Sequence, residues 1–160
     1  MPGYQSYNDA AKKIIEENKY MALSTCDLDK NPWGSTVFYA YDKSFDFYFM
    51  SAIDSRHAEN ININPKVAFV IFDSSQPMGR AESIQAEGKA VLVSAAAELK
   101  EVIRIYGARQ FPRAKIDPLR RYPPEEFSEA AELRFYRIRL ANVYISGTLN
   151  RRTEIDTARM

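Results

Sequence analysis

The chain has 160 residues, of which 46% are hydrophobic, 27% charged and 12% aromatic. This is the composition of one globular domain, expected to span residues 1–160, and it excludes a disordered chain, a collagen and a coiled coil. Lys and Arg number 22 against 21 Asp and Glu. The net charge of +1 gives no overall basic excess of the kind that nucleic-acid-binding proteins usually show, so nucleic acid is an unlikely partner.

Cys26 is the only cysteine and His57 the only histidine. These counts exclude a disulfide within the chain and a zinc site of the His/Cys type, so we expect no metal. A lone thiol fits a reducing compartment. The sequence has no apolar run of the roughly 20 residues that a membrane span needs, and residues 1–20 lack the apolar core of a signal peptide. We therefore expect a cytoplasmic protein with no membrane partner.

The first half of the chain predicts two helices and three strands. An apolar stripe from Ala10 to Ile15 predicts a helix ending near residue 18 or 19, with Ser6 and Asp9 in the positions of a capping box. Strands are predicted at 20–26, 32–41 and 45–51, and the last is aromatic on both faces. The second helix begins at Asp54 or Ser55 and runs to residue 64, where Pro65 ends it.

The second half predicts strands at 67–73 and 81–93, a helix capped by Ser94, and an irregular stretch at 111–124 that contains four prolines. Gly88 marks a bulge or a close backbone approach. A last strand covers 133–146, where Tyr136, Ile138 and Leu140 alternate with Arg137 and Arg139.

Short turns between consecutive strands favour an antiparallel sheet, because parallel strands need long crossover connections. Six or seven strands this apolar would leave costly edges unless they close on one another. We therefore predict a mainly β fold, a small antiparallel barrel decorated by helices.

The segment Phe49–Met–Ser–Ala–Ile–Asp–Ser–Arg–His–Ala–Glu–Asn60 predicts a strand that ends at Ser51 and a helix that starts near Asp54. A helix start offers free backbone N–H groups and a partial positive charge. Ser55, Arg56 and His57 would add a hydroxyl, a guanidinium and an imidazole, which together make a plausible phosphate site. A solvated helix start without a ligand is the alternative.

Two further segments carry polar groups on strands otherwise fit for a core. Ser35 and Thr36 begin the strand at 32–41, where their hydroxyls would suit a polyol chain. Ser83 and Gln85 share one face of a later strand, and an amide there can bond the edge of a heterocycle. Plain alternation, with one residue on the solvent face, explains Ser35 and Thr36 better than a ligand does. A cross-strand pair without a ligand explains Gln85 equally well.

Two other functions have weaker support. No serine lies in the GxSxG pattern of an α/β hydrolase, and His57 would have to serve any triad. A basic stretch from Arg104 to Arg121 could guide an anionic substrate or a nucleic acid, although a plain surface rim explains it better.

The segment from Phe49 to Val67 resembles the phosphate-binding strand and helix of the pyridoxamine 5′-phosphate oxidase-like flavoproteins, the FMN-binding split-barrel family, and the resemblance covers about residues 10–93 well. It implies a six- to seven-stranded antiparallel split barrel and a homodimer with FMN in the groove between subunits. The implied cofactor-binding residues lie on three strands and one helix start: Ser35, Thr36, Val37, Met50, Ser51, Ser55, Arg56, His57 and Gln85. No catalytic residue is implied.

The resemblance implies a flavin-dependent oxidoreductase acting on a small molecule that the sequence does not identify. Two departures argue against a true pyridoxamine phosphate oxidase. Those enzymes carry a basic residue where Ser35 or Thr36 aligns, and an Arg-rich C-terminal segment that residues 150–155 do not match. The alternatives are a non-catalytic flavin or heme carrier or sensor, and a reductase that uses the deazaflavin F420.

Overall fold

Alternation of buried and exposed side chains organises most of the chain into strands. The computed structural model describes residues 7–79, 81–127, 129–146 and 152–160. Ser6, the predicted cap of the first helix, lies outside these residues. The α-helices are α1 (Tyr7–Glu17), α2 (Arg56–Ile63), α3 (Ala96–Gln110) and α4 (Pro118–Arg121). The strands are β1 (Tyr20–Cys26), β2 (Pro32–Phe38), β3 (Ala40–Tyr41), β4 (Phe47–Ala52), β5 (Lys66–Phe72), β6 (Ser83–Leu92), β7 (Leu133–Ser146) and β8 (Arg152–Glu154).

One antiparallel sheet contains all of these strands, in the order β2-β1-β5-β6-β7-β4-β3, with β8 beside β7. β2 and β3 are the two ends of the single strand predicted at 32–41, interrupted at Tyr39. One end pairs with β1 and the other with β4, so this segment closes the sheet on itself. The predicted mainly β, antiparallel split barrel is confirmed, with β8 as its seventh strand when β2 and β3 count as one.

Two hydrophobic clusters lie on opposite faces of β4. Phe47 and Phe49 enter the main core inside the curled sheet, whereas Tyr48 joins a second cluster beneath α3. All three side chains are buried. The prediction that this strand is covered on both faces is therefore confirmed, since α3 covers the side that faces away from the barrel.

Arg109 fastens α3 to the start of the fold. Its guanidinium donates to the carbonyls of Tyr39, Ile15 and Asn18 at 2.9, 2.7 and 2.6 Å and lies over the Tyr39 and Tyr41 rings. The Tyr39 hydroxyl donates to the Ile15 and Asn18 carbonyls as well. Arg109, which the sequence places within a basic surface stretch, therefore has a structural role.

Two local predictions in the second half are wrong. Ala95, not Ser94, precedes α3, and no side chain caps that helix. The stretch at 111–124 is not wholly irregular, because it contains α4. Asp117 caps α4 by accepting from the Leu119 N–H at 3.0 Å, and Pro118 occupies the first helical position, where a missing N–H costs nothing.

Gly88 lies where the β6–β7 register shifts, and a Cβ there would stand 2.3 Å from the Arg139 carbonyl oxygen. We expect Gly88→Ala to lower the free energy of unfolding by about 2 kcal/mol, because backbone must shift to admit the methyl group. Gly34→Ala is the matched control on β2, since a Cβ at Gly34 meets nothing within 4 Å. Equal urea midpoints for the two variants would contradict the close approach.

Candidate functional site

The turn between β4 and α2 builds the start of the helix around Ser55. Ser55 has an extended backbone, and its Oγ donates to the Ala52 carbonyl at 2.8 Å and accepts from the Ala58 N–H at 3.4 Å. The N–H groups of Arg56 and His57, in the first turn, have no acceptor within the helix. The helix start therefore presents free donors and a partial positive charge next to the end of β4.

His57 bridges two strands of the barrel. Its Nδ1 lies 3.1 Å from the Ser35 Oγ on β2, and its Nε2 lies 2.7 Å from the Ser51 Oγ near the end of β4. The Ser55 Oγ is 2.9 Å from the Ser51 Oγ and 3.3 Å from Nε2. The Phe49 ring lies beside the imidazole, with 6.1 Å between ring centroids. We call Ser35, Ser51, Ser55 and His57 the hydroxyl–imidazole cluster.

Burial lowers the pKa of His57 below its usual value of about 6.5, so the ring is neutral at pH 7. A neutral imidazole donates through one nitrogen and accepts through the other, and the serine hydroxyls on its two sides can complement either arrangement. Among the described residues no three His, Cys, Asp or Glu side chains gather as a metal site would require. The cluster is therefore a set of neutral hydrogen-bonding groups that can each donate or accept.

Arg56 begins α2 on the solvent side of the cluster. Its guanidinium lies 4.5 Å from the centroid of the Trp33 ring, and both side chains are exposed. A cation held over an indole face gains a modest electrostatic attraction while its N–H groups remain accessible at the edges. The positive charge thus lies beside the helix start, and in the described part of the chain no carboxylate forms an ion pair with it.

The other sequence-predicted residues lie elsewhere in this chain. Val37 is buried in the barrel core, and Met50 lies on the face of β4 opposite Ser51, against the cluster beneath α3.

Thr36 and Gln85 belong to one cross-strand row on the outer face of the sheet, which contains Thr36, Ala22, Val70, Gln85 and Tyr144. The next row is built from Gly34, Ser24, Ala68, Glu87 and Asn142. We call these two rows the outer face.

Arg134 is the residue at this site that the sequence analysis missed. It lies directly opposite Ser51 in the β4–β7 register, on the same face of the sheet, and is only 5% exposed. A signal existed: Arg134 occupies the buried phase of the alternation that continues through Tyr136 and Ile138, so it places a charge on the apolar face of β7.

No helix among the described residues has the length and apolarity needed to cross a membrane.

A curled antiparallel sheet closed by one continuous segment, with a helix start at the end of β4, defines a split-barrel protein. The family model described as pyridoxamine 5′-phosphate oxidase matches residues 7–146. The chain belongs to this family.

Sequence relatives are bacterial proteins designated UPF0306. The chain is 32% identical over 85 residues to one from Yersinia pestis strain Angola, and the match covers 52% of this chain and 56% of the relative. A protein from Photorhabdus laumondii is 28% identical over 101 residues, covering 62% of this chain and 68% of the relative. The chain thus spans little more than half the length of its Yersinia relative.

Solved structures share the fold at low sequence identity. A heme-binding protein from Mycobacterium smegmatis superposes with a TM-score of 0.74 at 14% identity, covering 98% of this chain and 60% of that one. The heme storage protein HutZ from Vibrio cholerae gives 0.65 at 18% identity, covering 88% and 95%. General stress protein 26 from Bacillus anthracis gives 0.61 at 16% identity, covering 92% and 98%.

Because the pKa of His57 is lower in the folded chain than in the unfolded one, the unfolded chain binds more protons below about pH 6.5. We expect the free energy of unfolding of the wild type to fall as the pH is lowered from 7.5 to 5. His57→Gln removes this titration, so the variant should lose less stability over the same range. Urea unfolding at several pH values measures both. If the free energies of unfolding of the two proteins changed in parallel with pH, His57 would not be desolvated as described.

Proposed function

We propose that the protein binds FMN, with the phosphate at the start of α2, and acts as a flavin-dependent oxidoreductase on a small molecule. The observation that carries this proposal is the convergence of the hydroxyl–imidazole cluster on the first turn of α2. Membership of the pyridoxamine 5′-phosphate oxidase family supports a cofactor of this kind.

The residues present suit a phosphate. Serine hydroxyls and the free N–H groups of a helix start donate to phosphate oxygens, and the partial positive charge of the helix favours an anion. Arg56 adds a charged donor that no carboxylate of the described residues occupies. Neutral His57 keeps Ser35 and Ser51 oriented by accepting from one side and donating to the other.

FMN, when bound, would supply the hydride or electron transfer. The chain's own residues would hold and orient it, so no acid–base side chain is obligatory. Pyridoxamine phosphate is not the substrate we propose. The position aligned with the family's basic strand residue is held by Ser35 or Thr36, and the structure engages Ser35 with His57 and directs Thr36 outward.

We further propose that the protein is a homodimer, with the cofactor groove between subunits. The outer face carries several small residues that leave room for a second sheet to approach: Ala22, Ser24, Gly34 and Ala68. Thr36 and Gln85 lie on this face, and Thr36 points away from the side of β2 on which its neighbour Ser35 contacts His57. A second subunit packed there would make Thr36 and Gln85 part of a shared groove.

A heme carrier is the second candidate, because two solved structures of the same fold are a heme-binding protein and a heme storage protein. Ligation of heme iron by a histidine would fall to His57, the only one in the chain. Both of its ring nitrogens already lie within hydrogen-bonding distance of serine hydroxyls. Iron ligation would have to break one of these contacts, and FMN binding would not.

The same site could accept the phosphodiester of F420, which mass spectrometry of the bound cofactor would identify.

Titration of the purified protein with FMN, followed by flavin absorbance and fluorescence, tests the proposal. We expect Arg56→Ala to weaken FMN binding by ~1.5–3 kcal/mol, the scale of a charged hydrogen bond, and to leave the stability of the ligand-free protein nearly unchanged because Arg56 is exposed. Arg104→Ala is the matched control, since it removes an exposed arginine on α3.

A wild type that shows no flavin binding would refute the proposal. A Soret band that appears on addition of heme, without any response to FMN, would favour the heme carrier. Unchanged FMN affinity in Arg56→Ala would place the phosphate elsewhere.

A further inference from the structure

Arg134 carries a buried charge without a counter-charge. The residue is 5% exposed, its Nε has no hydrogen-bond partner, and its Nη1 donates to the Glu129 backbone carbonyl at a long 3.3 Å. Among the described residues, no carboxylate forms an ion pair with this guanidinium. Arg137, three strand positions further on the opposite face, shows the usual solution, since it pairs with Glu98 at 2.6 Å.

The sheet register places Arg134 beside the hydroxyl–imidazole cluster. Directly opposite residues of antiparallel strands have Cβ atoms about 5 Å apart on one face, and Arg134 stands opposite Ser51. The next pair on this face is Tyr136 and Phe49, whose rings stack with centroids 5.1 Å apart, and Phe49 in turn contacts His57. Arg134 therefore stands at the end of this row that is nearest to the turn into α2.

The surrounding backbone keeps this end of the sheet closed around the side chain. The Ile53 N–H, in the turn before α2, donates to the Glu132 carbonyl at 2.9 Å, just before β7 begins. Arg134 also acts on its neighbour: burial raises the pKa of Tyr136, and the nearby positive charge of Arg134 opposes that rise. The guanidinium is thus buried at this end of the sheet, where its Nη1 reaches the Glu129 carbonyl, rather than extended into solvent.

An arginine remains charged inside a protein, and a buried charge without a partner costs free energy. An apolar residue of similar length would fill the same space without this cost. The helix start and three hydroxyls next to it form a site that favours an anion. Binding of an anion there would supply the missing negative charge and offset the cost.

We propose that Arg134 recognises the phosphate of the ligand at the α2 start and so distinguishes a phosphorylated ligand from its unphosphorylated form. This inference rests on the proposed site at α2, and it names a residue beyond Arg56 and the cluster. Arg56 contributes an exposed charge from the solvent side, whereas Arg134 contributes a buried one from within the sheet. A buried charge acts at lower dielectric, so it is the stronger discriminator between FMN and uncharged riboflavin.

The test compares the wild type with Arg134→Met and Arg134→Lys in two measurements. The first is the melting temperature in sodium chloride and in sodium phosphate of equal ionic strength. The second is the ratio of the dissociation constants for riboflavin and FMN. Arg139→Met is the matched control, because Arg139 lies on the same strand with 69% of its side chain exposed.

We expect phosphate to raise the melting temperature of the wild type and of Arg139→Met but not that of Arg134→Met. Preference for FMN over riboflavin should fall about 10- to 100-fold in Arg134→Met, the effect of one lost charged hydrogen bond, and Arg134→Lys should retain most of it. Without ligand, Arg134→Met should melt no lower than the wild type, since it removes an uncompensated charge. If Arg134 had a purely structural role, Arg134→Met would instead melt at a lower temperature than the wild type.

If Arg134→Met kept the phosphate response and the FMN preference of the wild type, the assignment would be wrong. It would also be wrong if the wild type itself responded to neither phosphate nor FMN. A wild type that responds to phosphate but not to FMN, with the response lost in Arg134→Met, would sustain Arg134 as the phosphate residue while refuting the flavin. If Arg134→Met does not fold, the same comparison is made with Arg134→Gln and judged by the same outcomes.

Discussion

Closure of the sheet by the single segment that contains β2 and β3 is the constraint on which the site depends. Because this segment pairs with β1 at one end and with β4 at the other, it fixes the distance between Ser35 on β2 and Ser51 on β4. His57 fits between these two hydroxyls. Opening the barrel at Tyr39 would separate the two serines, so the contacts of Arg109 and Tyr39 hold the site together from a distance.

The start of α2 orders the turn and forms the proposed phosphate site with few residues. Ser55 caps the helix and also contacts Ser51, so the same hydroxyl orders the turn and belongs to the cluster. The site is also costly in the absence of a ligand, because Arg134 is buried without an ion-pairing carboxylate among the described residues and His57 is half-buried in its neutral form. A fold selected only for stability would place apolar side chains at both positions.

Much of this arrangement follows from local sequence signals. Alternation and turn residues predicted the strands, the bulge at Gly88 and the helix start at Ser55, because each is set by residues close in the chain. The break at Tyr39 escaped prediction, since it depends on contacts with α1 and Arg109 that come from distant segments. The helix at Pro118 was hidden by the prolines before and after it, although Asp117 before Pro118 is a regular helix start.

The candidate site was predictable only in part for the same reason. Ser51, Ser55 and His57 lie within seven positions of one another, and their convergence follows from one strand, one turn and one helix. Ser35 joins them through barrel closure, which local patterns do not specify. Placing Arg134 at the site required the register of β7 against β4, which local patterns do not give. Its position in the buried phase of the strand was nevertheless visible in the sequence.

A crystal structure of the protein grown with FMN is the most direct measurement of the central claim. The account predicts phosphate oxygens at the first turn of α2, within hydrogen-bonding distance of the cluster's serine hydroxyls, and a second subunit against the outer face. Density for FMN at another surface, with the α2 start filled by its own side chains, would contradict it.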